Sequence, residues 1–278
     1  MQKFSGILLC TDLDGTLLRE DGSISKQNID AIEYFKAQGG LFTFITGRMP
    51  CFVDDIYNAT NPNCPFGCIN GGGLYDHQKQ QYVWSITLPD TVLELVECVD
   101  INLPEIGIQI NTLGKIYSAK DNEAMVEFRK RTNLEKNACH YREVMEPIAK
   151  IVFADTNEEN IDKIKVLLDT HPLADCFGFI RSEKNLYEIL SKGISKGTVL
   201  SKLAQIMGIE ISKTVAIGDY NNDIEMLRTA GVGVAVANAC FDAKKAADFV
   251  TVSNEEHAIA AVIDAIDKGD FWAGKNKD

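Results

Sequence analysis

Polar and apolar positions alternate in strand and helix periods at both ends of the chain. Gly6 to Thr11 is a short apolar run followed at once by turn residues. Ser25 to Gln38 sets Ile29, Ile32, Tyr34 and Phe35 at near-helical spacing, and Gly39-Gly40 stops the pattern. Leu41 to Thr46 reads as a strand, Pro50 to Asn58 as a short helix, and Phe66 to Asn70 as a strand ended by Gly71-Gly72-Gly73. The same grammar returns late in the sequence. Ser195 to Met207 predicts a helix stopped by Gly208, Lys213 to Gly218 a strand, and Asn222 to Ala230 a helix ended by Gly231. Val232 to Val236 and Phe249 to Val252 read as strands, and Glu255 to Asp267 as a closing helix. Strands alternating with helices predict a parallel sheet covered on both faces.

The middle has a different texture. Leu74 to Ile86 reads as a hairpin turning near Asp76-His77-Gln78. Helix (Asp90 to Asp100), strands (Gly107 to Ile110, Lys115 to Ser118), helix, strand (Ala149 to Ala154), helix (Glu158 to Thr170) and strand (Phe177 to Arg181) follow, an α+β unit of domain size. The expected architecture is therefore α/β. A Rossmann-like, doubly wound parallel-sheet core is built from residues 1–86 and 188–278, with an α+β domain at 87–187 inserted between them.

Composition narrows the function classes. The 278 residues are 45% hydrophobic and 24% charged, enough to bury a core without disulfide staples. A net charge of −12 with no basic block argues against nucleic acid as a partner. No stretch approaches the ~20 apolar residues that cross a bilayer, so no membrane role is expected. The apolar start resembles a signal peptide only until Asp12 and Asp14 interrupt it, and a buried strand is the better reading. Eight cysteines, most in apolar runs, read as small hydrophobes of a reducing cytoplasm; Cys64 and Cys68 have no second pair at finger-like spacing.

Four segments fall just past predicted strands, the edge at which open parallel sheets bind ligands. In Asp12-Leu13-Asp14-Gly15-Thr16, extended alternation puts both carboxylates on one face. That pair suits Mg²⁺, a nucleophile beside an acid/base, or simply a solvated acidic turn. Thr46-Gly47-Arg48 offers a hydroxyl and an amide to a phosphate, or is an ordinary loop with a surface arginine. Ser195 reads as an N-cap, which sets Lys196 at the first helical position, against the helix dipole unless an anion sits there. Gly218-Asp219-Tyr220-Asn221-Asn222-Asp223 offers two carboxylates to a cation and an amide to a phosphate oxygen, or is an Asn/Asp-rich cap.

Taken in order, the four segments resemble the motifs of the haloacid dehalogenase (HAD) superfamily of phosphatases, and most closely its Cof-type branch with an α/β cap of the C2B type. That branch carries its cap between the second and third motifs, the interval from Arg48 to Lys196 here. Asn70-Gly71-Gly72, Lys196-Gly197 with Leu200, Asn238-Ala239 and Ala247-Asp248-Phe249-Val250-Thr251 are also similar to the branch. The resemblance implies that Asp12 attacks phosphorus to form an aspartyl-phosphate and that Asp14 acts as acid and then base. It implies Mg²⁺ held by the Asp12 carboxylate, the Asp14 backbone carbonyl and Asp219, with Asp223 supporting from behind, and phosphate bound by Thr46, Gly47, Lys196 and Asn222. With Mg²⁺, Lys196 and a proton on Asp14, the four carboxylates come to neutrality; without metal they would repel a phosphate dianion.

The expected function is Mg²⁺-dependent hydrolysis of small phosphorylated metabolites, sugar phosphates foremost, in the cytoplasm, with a monomer as the default state. A phosphohexomutase would use the same residues, and a non-catalytic phosphometabolite sensor would leave the acid pair without a purpose. Gly71-Gly72-Gly73 lacks the spacing of a dinucleotide fingerprint. Arg48 has no assigned role. His77, His140, His171 and His257 lie outside the motifs, and Tyr117, Tyr141 and Tyr187 read as core.

Overall fold

A computed structural model describes residues 2–273. The chain forms two compact units, one drawn from its two ends (up to Trp84 and from Ser195 onward) and one from Ser85–Ile194.

The first unit opens with β1 (Leu8–Thr11), α1 (Lys26–Ala37), β2 (Leu41–Phe44), α2 (Asp54–Thr60), β3 (Phe66–Cys68), β4 (Gly73–Asp76) and β5 (Gln81–Ser85). Ser25 caps α1, its side chain accepting from the Asn28 N–H. The single helix expected over Pro50 to Asn58 is instead a 3₁₀ turn at Pro50–Phe52 and then α2, broken at Val53.

The inserted unit runs α3 (Val92–Asn102), β6 (Gly107–Thr112), β7 (Ile116–Lys120), α4 (Glu123–Arg131), β8 (Ile148–Ala154), α5 (Glu158–Asp169), β9 (Phe177–Glu183) and β10 (Leu186–Ser191). Its sheet has the order β7-β6-β8-β10-β9, antiparallel throughout. One face packs Ile108, Ile110, Ile151 and Phe153 against Leu95, Val99, Ile161 and Ile164 of α3 and α5. Tyr117, Tyr141 and Tyr187 belong to that core.

The chain returns to the first unit with α6 (Lys196–Met207), β11 (Thr214–Gly218), α7 (Ile224–Thr229), β12 (Val232–Ala235), α8 (Phe241–Ala246), β13 (Phe249–Val250) and α9 (Ala258–Lys268). The core sheet has the order β13-β12-β11-β1-β2, parallel in every pair. β3 continues it through a parallel bridge, Ile45 to Gly67, and then turns into a three-stranded antiparallel sheet with β4 and β5. The strands read as near-continuous buried runs, as a sheet covered on both faces requires. Strand order reverses between β1 and β11, so the crevice beyond their carboxyl ends is the topological switch point where such sheets bind ligands. No helix among the described residues is long and apolar enough to cross a membrane.

Candidate active site

Parallel pairing of Thr11 with Ile217 delivers Asp12 and Asp219 to neighbouring strand ends. The Asp12 N–H donates to the Ile217 carbonyl at 2.8 Å and so extends the ladder by one step. Beyond that step the extended alternation stops. β1 ends at Thr11, and Gly15 adopts φ +78 in the turn that follows. A side chain at Gly15 would be strained there, and its Cβ would lie 2.6 Å from Asp219 Oδ2, so only glycine lets this turn pack against Asp219. The two carboxylates of the first motif consequently part company. Asp12 is buried, while Asp14 is exposed and accepts from Arg48 Nε and Nη2 at 2.9 and 2.5 Å. Arg48, the residue without a sequence-based role, thus holds the Asp14 carboxylate in a two-pronged grip.

At the centre lies Lys196. Its side chain is wholly buried, with Nζ 2.5 Å from Asp12 Oδ1 and 2.6 Å from Asp223 Oδ1. The Ser195 capping box fixes the helix start that carries it: the hydroxyl accepts from Thr198 N, and Thr198 Oγ1 accepts from Ser195 N. Asp223 uses its other oxygen to accept from the N–H groups of Asp219 and Tyr220, at 2.9 and 3.1 Å. Asp219 accepts from Thr16 Oγ1 at 3.0 Å. Asn238 Nδ2 donates to the Gly15 carbonyl at 2.8 Å and braces the turn. Thr16 and Asn238 were no part of the expected site, although both lie in the segments that carried the resemblance.

Oxygens of Asp12, Asp219 and Asp223 lie within 4.8 Å of one another, and among the described residues no other such group of His, Cys, Asp or Glu occurs. The electrostatics show a shortage of positive charge. Burial and the neighbouring Asp223 push Asp12 well above the usual carboxylate range, against the pull of Lys196. Burial and Asp223 likewise push Asp219 up to about 7. Burial alone would lower Lys196, but the carboxylates of Asp12 and Asp223 more than reverse it, so the lysine stays charged. Hard oxygen donors with unmet negative charge fit a hard divalent cation such as Mg²⁺. With both Asp223 oxygens already engaged, Asp12 and Asp219 are the carboxylates best placed to hold it directly.

The remaining predicted residues gather on the same side. The Asn70 N–H donates to the Thr46 carbonyl at 3.1 Å, and Asn222 Nδ2 donates to Asn70 Oδ1 at 3.0 Å. Gly71, at φ +101, presses against the N-cap of α6, where an added Cβ would sit 2.0 Å from the Ser195 carbonyl oxygen. A Gly71→Ala variant should therefore lose roughly 3 kcal/mol or more of unfolding free energy, since strain and overlap fall on backbone that cannot give way. Urea denaturation reads this, and a midpoint within 0.5 M of wild type would contradict the packing. Of the histidines, His77 stacks on Tyr57 at 3.9 Å and pairs with Asp54. Cys64 and Cys68 are buried, with their Sγ atoms near the carbonyls of Phe42 and Gly73, and neither belongs to a metal-binding cluster among the described residues.

Comparison with known proteins shows the family. A family model described as haloacid dehalogenase-like hydrolase matches residues 9–263. The chain is 29% identical to the 5-amino-6-(5-phospho-D-ribitylamino)uracil phosphatase YwtE of Bacillus subtilis, over 95% of this chain and 99% of that one. It is 27% identical to the pyridoxal phosphate phosphatase YbhA of Escherichia coli, over 92% and 97%. Among solved structures, a haloacid dehalogenase-like hydrolase from Bacteroides thetaiotaomicron superposes with a TM-score of 0.81 at 25% identity, covering 94% of this chain and 99% of the other.

Proposed function

The chain belongs to the haloacid dehalogenase-like hydrolases, and from that premise we propose that it is a Mg²⁺-dependent phosphatase of small phosphorylated metabolites, sugar phosphates foremost, acting in the cytoplasm. The observation that carries the reading is Lys196 locked between Asp12 and Asp223 with Asp219 completing an acidic triad at the switch point. Two relatives, a 5-amino-6-(5-phospho-D-ribitylamino)uracil phosphatase and a pyridoxal phosphate phosphatase, support the class of small phosphorylated metabolites.

In this mechanism Lys196 fixes Asp12 through Oδ1, which leaves Oδ2 to attack phosphorus. The Oδ2–P bond forms as the bond to the leaving oxygen breaks, and Asp14 gives that oxygen its proton. Asp14 then takes a proton from water, whose oxygen attacks phosphorus and releases Asp12 and inorganic phosphate. Arg48 sets the position of the Asp14 carboxylate for both transfers. Thr46, Gly47, Lys196 and Asn222 bind the phosphoryl oxygens. Asp12, Asp219 and the Asp14 carbonyl, with Asp223 behind them, would hold Mg²⁺, whose positive charge would let a phosphate dianion approach.

The test is hydrolysis of an aryl phosphate and a panel of sugar phosphates, read as inorganic phosphate. Turnover should need Mg²⁺ and stop in EDTA. Full activity in EDTA, or return of the phosphoryl group to the sugar in place of free phosphate, overturns the reading. The raised pKa of Asp219 adds a pH dependence. Between about pH 4 and pH 7 the folded protein keeps a proton there that the unfolded chain releases, so metal-free stability falls as pH rises through that window. A cation must displace that proton, so the Mg²⁺-induced rise in melting temperature should be larger at pH 8 than at pH 6, with proton release on binding at the lower pH. An equal rise at both pH values would remove Asp219 from the cation site.

A further inference from the structure

The segment Ile69-Asn70-Gly71 has an unusual backbone. All three residues are left-handed, with φ +57, +51 and +101. A β-branched residue such as isoleucine is strongly disfavoured in that region, at roughly 1–3 kcal/mol. Strain of this kind persists only where the surroundings over-determine it. Here they do: the Ile69 N–H donates to the Arg48 carbonyl, the Asn70 N–H to the Thr46 carbonyl, and Gly71 abuts the Ser195 carbonyl.

The strained turn sets Asn70, only 2% exposed, where three of the proposed phosphate-binding segments meet. Its backbone holds the strand end at Thr46. Its side chain lies against Gly47, where an added Cβ would be 2.9 Å from Oδ1. The same Oδ1 accepts from Asn222 Nδ2. Asn222 is otherwise poorly fixed, because its own Oδ1 is buried with no hydrogen-bond partner among the described residues. A carboxamide nitrogen has two hydrogens. With one directed at Asn70, the direction of the other is set, and that hydrogen remains for a phosphoryl oxygen.

We propose that Asn70 is a positioning residue for phosphoryl transfer: its side chain aims the Asn222 amide at the transferring phosphoryl group, and the left-handed turn exists to hold it there. This rests on the phosphatase reading and adds to it a residue that touches no reacting atom.

Asn70→Gly is the informative variant, because glycine keeps the left-handed backbone and removes only the amide. It is compared with Asn222→Ala and with the double variant. Each is assayed for kcat and KM on an aryl phosphate, for inorganic phosphate binding by calorimetry with Mg²⁺ present, and for the Mg²⁺-induced melting shift. Asn70→Gly should lower kcat on the order of 30-fold or more, as misplaced groups do, and weaken phosphate binding, with the Mg²⁺ shift intact because Asp12, Asp219 and Asp223 are untouched. The double variant should be no worse than Asn222→Ala alone, since Asn70 acts through that amide. Losses that multiply, in turnover or in phosphate affinity, overturn the proposal, as does an Asn70→Gly protein within twofold of wild type. A wild-type protein that binds phosphate without hydrolysing esters defeats the phosphatase reading, while the additivity of phosphate affinities still decides the role of Asn70. A wild-type protein that does not bind phosphate overturns both.

Discussion

Asp12→Asn should abolish turnover, by about 10⁵-fold, and leave the fold intact or firmer. Asparagine keeps the size of the side chain and an Oδ1 acceptor for Lys196 Nζ, so the buried 2.5 Å contact has a successor. What disappears is the anionic oxygen that, in the proposed mechanism, attacks phosphorus, because an amide oxygen is a poor nucleophile. The stability argument follows from the same charge. Burial and Asp223 raise the Asp12 pKa, so the ionised form is the disfavoured one in the fold, and a neutral amide imitates the favoured form. The melting temperature of the metal-free variant at pH 8 should therefore equal or exceed that of wild type. Wild-type-like hydrolysis by this variant would remove Asp12 as the nucleophile. A drop of several degrees in melting temperature would mean that the charge itself anchors Lys196.

Lys196→Met should do the opposite to stability while also ending catalysis. Methionine fills most of the lysine's volume but withdraws the cation from two carboxylates, one of which, Asp223, has a wholly buried side chain. Removing one partner of a buried ion pair typically costs about 3–5 kcal/mol, because the survivor stays unpaired away from water. Among the described residues Asp223 then keeps the N–H groups of Asp219 and Tyr220. The loss should be smaller at pH 5 than at pH 8, since Asp12, whose pKa burial and Asp223 already raise, can then take up a proton in the fold. Urea unfolding at the two pH values measures it. A loss below 1 kcal/mol at pH 8 would show that the pair is not the clamp described above.

The architecture was legible where burial and period coincide. Leu8 to Thr11, Leu41 to Phe44 and Thr214 to Gly218 are apolar runs in the sequence and wholly or largely buried strands in the fold. What the sequence hid was set by long-range packing. Phe66 to Asn70 reads as one strand, but β3 ends at Cys68 because Ile69 and Asn70 turn left-handed to bond with Arg48 and Thr46, and nothing local to an isoleucine announces that. Likewise the helix expected from Asn222 begins as a 3₁₀ turn at Asn221–Asp223, drawn tight by the bonds from Asp219 and Tyr220 to Asp223. Within the site, residue types and strand-end positions indicated which side chains would gather. Their partners were not indicated: extended alternation put Asp14 beside Asp12, whereas the turn at Gly15 leaves Asp14 to Arg48, 34 residues away. The binding of Asn222 to Asn70, 152 residues apart, has no local signature either.

The pairing of β1 with β11 has a consequence for how the protein is made. Asp12 and Lys196 are 184 residues apart along the chain. At ribosomal speeds of ~5–20 residues per second, the first strand emerges roughly 10–40 s before the segment that must lie beside it. Throughout that interval Leu8 to Thr11, buried on both faces in the finished protein, waits with one of its two neighbouring strands unmade, while the Ser85–Ile194 unit completes its own sheet at Ser191, before β11 is made. The nascent chain is thus most prone to aggregate just before the last third is synthesised, and truncations that end before Gly218 should be insoluble even though they include the whole inserted unit.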